Sequence, residues 1–346
     1  MKPILTILAC FVLTITIAQD DPNRFNPIDV FELEYASDPQ ISPDGSKVMY
    51  VRNFKDIMTD ANLSNIWMIN SDGSEHVPVT TSKQRDGSPR WSQDGSEMIY
   101  MSSKDGSSQI YRRWLKTGAE ARLTNLTHSP GGLSWSPDGK WIAFSMFVPQ
   151  DKASPVKPPR KPEGAKWADN PTYIDDMYYR ADGAGYLKPG FRHIFILSIE
   201  GGTPRQLTTG DFNHGGRLSW TQDSKSIVFS ANRHADRDFD PRNSEVFRLD
   251  IADGKLTQLT DRQGPDGQPT VSPDGQWIPY SGFDDRYQGY QVQKLYVMRA
   301  DGSESRCVSD AHDRSVNNLQ WAGNSQGVFV QYDDLGDTKI AYIGLD

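Results

Sequence analysis

The chain contains 346 residues, 36% of them hydrophobic, and its formal net charge is −8 at pH 7. A chain of this size and composition can bury a large core, which excludes wholesale disorder. The excess of acidic residues disfavours binding to polyanions, so we expect no nucleic-acid partner.

The N-terminus is typical of an export signal. Met1-Lys2 provides a positive start, and residues 4–18 are almost entirely apolar. Small residues at Thr16 and Ala18 predict cleavage after Ala18 and a periplasmic or extracellular location. The alternative is a lipoprotein anchor at Cys10, which would leave an apolar stretch behind the modified cysteine.

The mature chain has few features of a membrane-spanning or disulfide-stabilised protein. No apolar run after residue 20 is long enough for a transmembrane helix. Removal of the signal leaves Cys307 as the only cysteine, so no intrachain disulfide is expected. The fold must therefore be stabilised by its core.

One phrase recurs six times and predicts the architecture. Each copy has a Pro-Asp-Gly turn or a variant of it, followed by alternating apolar residues, as in ISPDGSKVMYV and WSPDGKWIAFS. The copies begin at Ile41, Trp91, Trp135, Trp220, Val271 and Trp321. Asp-Gly readily adopts the positive φ of a tight hairpin turn, and a period of two marks a strand.

A second phrase follows within each unit, for example NIWMIN from Asn65 and EVFRLDI from Glu245. In five of the units a glycine-containing turn and a short strand ending in Thr or Ser come next, as in ARLT and TQLT. Units of about 45–50 residues with three or four strands have the size of a propeller blade, whereas tandem sandwich domains need about 100 residues. We predict an all-β propeller of six detectable blades.

Two departures from the repeat are informative. The third and fourth copies lie 85 residues apart, which places about 40 extra residues, 149–190, inside the third unit. The sixth unit stops after its third strand, so we expect an incomplete last blade and a chain truncated at its C-terminus. The predicted organisation is a signal at 1–18, a lead-in at 19–40 and the propeller at 41–346.

The repeat resembles that of TolB-like propellers, and four longer segments narrow the resemblance. They are DVFELEYASDPQISPDG, YYRADGAGYLKPG, GGTPRQLTTGDFNHGG and FDDRYQGYQVQKLYVM. Together they resemble the N-terminal propeller of secreted bacterial serine peptidases of the prolyl oligopeptidase family, in the branch of acylaminoacyl-peptidases and dipeptidyl aminopeptidases. The resemblance implies a propeller that limits access of short or N-blocked peptides to a C-terminal α/β-hydrolase domain.

That catalytic domain is absent from this sequence. The one Gly-x-Ser-x-Gly match centres on Ser325, in the turn position of the sixth repeat and in register with Gly45. A nucleophile elbow needs a strand, a helix and a downstream histidine, whereas the last histidine, His312, lies upstream. We therefore expect no catalytic residue here. The alternative function is a stand-alone TolB-like periplasmic propeller that serves as a protein-binding scaffold.

The inserted segment supplies the candidate substrate-binding residues. It begins with the proline-rich SPVKPPRKPEGAK, which favours an extended path, either as a solvated linker or as an arm toward the hydrolase domain. Acidic, basic and aromatic side chains follow that can pair with the charged ends of a peptide or anchor the arm to its own blade. With a histidine of the GDFNHGG stretch, the candidates are Asp175, Asp176, Tyr179, Arg180, Asp182, Tyr186 and His214.

No metal or cofactor site is expected. Asp236, Asp238 and Asp240 have the spacing of a calcium loop, but Pro241 and Phe247 occupy the positions where that loop needs glycine and glutamate. The histidines lack zinc-ligand spacing. The oligomeric state is not predicted.

Overall fold

The computed structural model describes residues 24–345 except 153–154, 157–158 and 169–170. The predicted signal at residues 1–18, its cleavage site and the alternative anchor at Cys10 lie outside the described residues. A short 3-10 helix, Pro27–Glu32, precedes the first strand. None of the helices in the described ranges has the length and apolar character needed to cross a bilayer.

In the described residues the strands form seven antiparallel sheets. Six of them follow one another along the chain and are called blades, and the seventh is a two-stranded hairpin, Arg180–Ala181 with Gly185–Tyr186. Blades 1 and 2 consist of Tyr35–Ile41, Lys47–Asp56, Ala61–Asn70 and Val77–Pro78, then Asp86–Trp91, Glu97–Ser102, Gln109–Trp114 and Glu120–Arg122. Blades 3 and 4 consist of Gly131–Trp135, Trp141–Pro149, Gly190–Ser198 and Arg205–Gln206, then Gly215–Trp220, Ser226–Ala231, Glu245–Asp250 and Leu256–Gln258. Blades 5 and 6 consist of Asp266–Gly267, Trp277–Gly282, Lys294–Arg299 and Arg306–Cys307, then Asn317–Trp321, Gly327–Asp334 and Asp337–Gly344.

The predicted all-β propeller with six blades is confirmed, including the incomplete sixth blade, which has three strands in the described part of the chain. The insertion in blade 3 is also confirmed, because Pro149 pairs with Gly190 on either side of it. The first strand, Tyr35–Ile41, pairs with the second. Blade 1 therefore begins within the segment 19–40 that the sequence separated as a lead-in.

The core lies between the blades. Five buried apolar clusters are found among the described residues, and each fills the junction between two consecutive blades. Ile142 and Phe144 of blade 3, for example, pack with Ile99 and Ile110 of blade 2. Since both faces of an inner blade are apolar, a blade is stable only when it is flanked by others.

The recurring Ser-x-Asp turn explains why the first phrase repeats. In blade 1 the Ser42 hydroxyl donates to a carboxylate oxygen of Asp44 and accepts the backbone N–H of Lys47. The hydrogen bond from Ser42, aided by the backbone N–H of Ser46, lowers the pKa of Asp44 to about 2. Ser92 and Asp94 repeat these contacts in blade 2. The carboxylate thus organises a hairpin between the first two strands of a blade.

In five blades, a Thr or Ser at the end of the short segment that follows the second phrase joins this segment to the third strand. The Thr208 hydroxyl accepts the backbone N–H of Ile194 at 2.9 Å and lies 3.3 Å from Nδ1 of His193. The same acceptor role recurs at buried Thr and Ser residues of four other blades, namely Thr80, Thr124, Thr260 and Ser309. A hydroxyl therefore satisfies a buried N–H where the ladder of the short fourth strand has ended.

Thr208→Val should lower the free energy of unfolding by about 1–3 kcal/mol, because it leaves the buried N–H of Ile194 without an acceptor while keeping the side-chain volume. Chemical denaturation measures this change. Thr209→Val is the matched control, since the neighbouring Thr209 is exposed. Equal stability of the two variants would contradict the role given to the hydroxyl.

Candidate functional site

The two ends of the propeller carry different kinds of connection. In an antiparallel blade, the loops between the second and third strands lie at the end opposite to the Ser-x-Asp turns. We call this the loop end. It carries the insertion, 150–189, and the long connections 232–244 and 283–293. The other end, which we call the turn end, carries tight turns.

Exposed apolar side chains are concentrated on the loops of the loop end. Leu335 is 96% exposed, Met58 85% and Phe239 81%, and Tyr287 and Tyr290 are also exposed. They lie on four different connections between second and third strands. The insertion adds Trp167, Tyr173, Ile174, Met177, Tyr178, Tyr179, Tyr186 and Leu187. Exposed apolar groups arranged around one end of a protein are typical of an interaction surface.

The insertion brings four of the predicted candidate residues together. Its hairpin, Arg180–Ala181 with Gly185–Tyr186, places the rings of Tyr179 and Tyr186 in a stacked arrangement at 6.3 Å between centroids. Arg180 pairs with Tyr186 in the ladder, and Asp182 lies in the turn. These side chains are exposed, so the hairpin presents two rings, one guanidinium and one carboxylate to solvent.

The other two acidic candidates lie close to the start of the insertion. Lys152 donates to Asp175 at 2.9 Å and to Asp176 at 2.6 Å. These hydrogen bonds, that to Asp176 first, raise the pKa of Lys152. Both ion pairs join residues within the insertion and do not reach blade 3, so they leave the anchoring alternative a prediction. Exposed ion pairs of this kind contribute little stability.

His214 is placed apart from the hairpin. It is completely buried, its Nε2 contacts Arg233, and its ring lies 5.4 Å from that of His193. Burial, with the positive charge of Arg233, lowers its pKa to about 4, so the imidazole is neutral at pH 7. Its role in substrate binding stays a prediction, and contact with a peptide would require this junction between blades 3 and 4 to open.

The segment that contains His214 is tied to the base of the insertion. Gln150 donates to the Asp211 carboxylate at 2.7 Å, and the backbone N–H of Arg192 donates to the Asn213 side chain at 2.9 Å. The His214 N–H donates in turn to the Arg192 carbonyl. The GDFNHGG stretch thus sets where the insertion leaves the blade.

A cluster that the sequence analysis missed lies beside this base. The guanidinium carbons of Arg233 and Arg237 are 4.5 Å and 4.9 Å from the ring centroid of Phe212. Burial lowers the pKa of Arg233. The segment ANRHADR gives no repeat signal, because its residues meet Phe212 only through the packing of neighbouring connections.

Buried acids occupy the next junction. Glu245 accepts hydrogen bonds from Thr260 at 2.6 Å and from His234 at 3.3 Å. Burial, followed by repulsion from Asp266, raises the pKa of Glu245, and burial also raises the pKa of Asp266 beside Arg262. No group of three or more His, Cys, Asp or Glu side chains in the described ranges is placed to hold a metal ion.

Ser325 adopts the geometry of a turn. Its φ is +59°, and its hydroxyl accepts the backbone N–H of Asp274 in blade 5 at 3.1 Å. Ser224 of blade 4 makes the same contact to Asp138 of blade 3, two junctions earlier. The serine therefore links two neighbouring hairpin turns, and its Gly-x-Ser-x-Gly context is part of the repeat.

Two family profiles match the chain. The TolB beta propeller domain matches residues 27–154, and the N-terminal region of dipeptidyl peptidase IV matches residues 169–286. The chain is thus similar to TolB propellers in its first part and to the N-terminal region of dipeptidyl peptidase IV in its middle part. The resemblance stated from the sequence is thus confirmed.

Individual relatives agree with these matches. The chain is 26% identical to the uncharacterized peptidase YuxL of Bacillus subtilis over 92% of its own length and 50% of that protein. It is 24% identical to dipeptidyl-peptidase 5 of Porphyromonas gingivalis over 94% of its length and 48% of that protein. The chain therefore spans about half the length of the curated relatives it matches.

A solved structure supports the fold. Uncomplexed acylaminoacyl peptidase of Pyrococcus horikoshii superposes with a TM-score of 0.66 at 18% identity, covering 90% of this chain and 45% of that one. At this level of identity the likeness concerns the propeller architecture alone.

The buried histidine predicts a loss of stability in acid. Because the folded state lowers the pKa of His214 from 6.5 to about 4, the unfolded chain binds more protons between these values. The free energy of unfolding should therefore fall as the pH drops from about 6.5 to 4, by up to about 3 kcal/mol from this group. His193, whose pKa is also lowered by burial, acts in the same direction.

Denaturant titrations at pH 7 and pH 4.5 measure this loss for the unsubstituted chain and for His214→Gln. The variant should lose less stability between the two pH values, whatever its absolute stability. Thr209→Val, at an exposed residue without a titratable side chain, is the control and should leave the pH dependence unchanged. An unchanged pH dependence in His214→Gln would contradict the burial argument.

Proposed function

We propose that this chain is the substrate-gating propeller of an exported serine peptidase that acts on short or N-blocked peptides. An α/β-hydrolase domain outside the present sequence would supply the catalytic Ser, Asp and His. The observation that carries the proposal is the concentration of exposed apolar side chains on the loop end beside the insertion. The peptidase relatives, about twice as long as the match, support it.

The loop end is the surface on which we place the hydrolase domain. Phe239, Tyr287 and Tyr290 stand on adjacent blades 4 and 5 and are exposed in the chain alone. Their burial against a second domain would each contribute about 1.5–3 kcal/mol before the cost of association is subtracted. The opposite end, formed by Ser-x-Asp turns, offers mainly small polar groups that are already hydrogen-bonded within each turn.

In this arrangement the insertion would lie at the edge of the substrate chamber. Its exposed hairpin offers Arg180 and Asp182 to the charged ends of a peptide and Tyr179 and Tyr186 to its apolar side chains. The ring and the insertion would together exclude folded proteins and admit short peptides. Export through the signal at residues 1–18 would place the enzyme in the periplasm or outside the cell.

The coding sequence beyond codon 346 provides the first test. An open frame of about 250–300 further codons with a strand, Gly-x-Ser-x-Gly and a helix is the expected result.

In the full-length protein, Phe239→Ser combined with Tyr290→Ser should weaken propeller–hydrolase contact and raise the rate of cleavage of a long peptide relative to a dipeptide substrate. Lys225→Ser, at the turn end, is the matched control.

The present chain should not turn over chromogenic aminoacyl or acyl-peptide substrates, because Ser325 lies in a hairpin turn, with its hydroxyl bonded to the backbone N–H of Asp274, and not between a strand and a helix as in a nucleophile elbow. Ser325→Ala should be indistinguishable from the unsubstituted chain in the same assay. Serine-dependent hydrolysis that Ser325→Ala abolishes would overturn the assignment of Ser325 to a turn.

The match of the TolB beta propeller domain favours a second candidate function, a periplasmic protein-binding scaffold without a hydrolase domain. The same coding sequence separates the two functions. A stop codon after Asp346, together with a stable secreted product, would favour the scaffold and contradict the peptidase.

A further inference from the structure

The first strand of each blade is the innermost one, and these strands form a ring around the propeller axis. The extended backbone of each is interrupted at an equivalent place. Residues with positive φ stand at the interruption, five in register with one another and the sixth, in blade 4, displaced by one position. They are Asp38, Ser88, Gly132, Gly216, Gln268 and Asn318. Ladder registers shift there in five of the blades. Such bulges leave backbone groups outside the ladder.

Two charged side chains occupy matching ring positions in blades 1 and 4. Asp38 lies four residues before its turn serine, and Arg217 lies four residues before Thr221. Asp38 is engaged by a different arginine, however. Arg90 of blade 2 contacts both carboxylate oxygens, at 2.9 and 3.1 Å, and its Nε donates to the Leu133 carbonyl of blade 3. Arg90 is therefore neutralised by an ion pair.

Arg217 has no such partner. Its Nη1 donates to the Leu319 carbonyl of blade 6 at 2.6 Å, so the side chain reaches past blade 5 toward the axis. None of the carboxylates in the described residues lies within ion-pair distance of it. Burial, and then the positive charge of Arg90, lowers the pKa of Arg217. A half-buried cation beside a second cation is costly unless an anion compensates it.

We propose that Arg217 binds a carboxylate group of a peptide at the propeller axis. The planar guanidinium has five N–H donors, and the fork that remains after the bond to Leu319 matches two carboxylate oxygens. A peptide can in addition form main-chain hydrogen bonds with backbone groups at the bulges, which a small inorganic anion cannot do. The assignment of a peptide rests on the proposed function.

The test uses the chain itself and binding rather than cleavage. Isothermal titration compares N-acetyl-trialanine with a free C-terminal carboxylate, the same peptide as its C-terminal amide, and inorganic phosphate. The free acid should bind at least tenfold more tightly than either of the others. Equal affinity of acid and amide, equal affinity of phosphate, or no binding of the acid at millimolar concentration would each overturn the proposal.

Substitutions then assign the binding to the residue. Arg217→Met removes the charge while keeping much of the stem and should reduce affinity for the acid at least tenfold. Arg217→Lys keeps the charge without the fork, and its affinity for the acid should lie between those of the unsubstituted chain and Arg217→Met. This second variant keeps the test informative if the methionine variant is poorly folded. Lys225→Met, an exposed lysine on the turn end, matches the change in net charge and should bind normally. Unchanged affinity in both Arg217 variants would overturn the proposal.

The outcome is separable from that of the proposed function. A coding sequence without a hydrolase domain would contradict the peptidase and leave the difference between acid and amide intact. A peptidase whose propeller binds acid and amide equally would contradict only the axial site.

Discussion

The structure depends on one constraint, the need of each twisted sheet to cover two apolar faces. A single blade cannot do this, and the five clusters between consecutive blades are the solution that the chain uses. Hydrogen bonds between neighbouring turns add direction to this packing, as when Trp91 Nε1 donates to the Gln40 carbonyl of blade 1. Radial stacking leaves the connections at both ends free of core packing, so they can differ in sequence without loss of the fold.

The same constraint explains the exposed faces of the terminal blades. Ile41 in blade 1 is 69% exposed, and Ile340 in blade 6 is 70% exposed, with Phe329 and Tyr342 beside it. On the opposite face of blade 6, Val328 and Val330 are fully packed against blade 5. The difference between the two faces of one sheet shows that burial is set by the neighbouring blade and not by the hydrophobicity of the strand.

The fold could be predicted from the sequence because the contacts that recur in each blade join residues close together in the chain. The Ser-x-Asp turn closes within a few residues, and the Thr hydroxyl acts on a residue 14 positions away. The first strand, Tyr35–Ile41, was missed because the segment YASDPQI has no clean alternation and contains a bulge. Four of the candidate residues predicted in the insertion lie together in the structure, because they are close in sequence and lie in or beside the hairpin at Arg180–Tyr186.

Contacts between side chains of different blades could not be predicted from the sequence. Arg90 meets Asp38 across 52 positions, and Arg217 meets Leu319 across 102 positions, at separations that only the ring geometry brings together. His214 lies between an asparagine and two glycines, which suggests an accessible loop. Its side chain is nevertheless buried in the junction between blades 3 and 4, next to the blade 4 bulge that is displaced by one residue. Burial of a polar side chain depends on which blade faces it, and no periodicity within one blade encodes that.

The division of the molecule into a repetitive body and a variable end bears on how such a protein acquires specificity. The acidic turn residues, such as Asp44 and Asp94, are consumed by their own hairpins, so much of the net negative charge is already used in structure. Arg217 on the axis and Arg233 at the loop end are two cations whose pKa is lowered by burial and that have no carboxylate partner among the described residues. In an acidic protein, an anionic ligand is favoured at such cations over the acidic parts of the surface, because like charges repel it there.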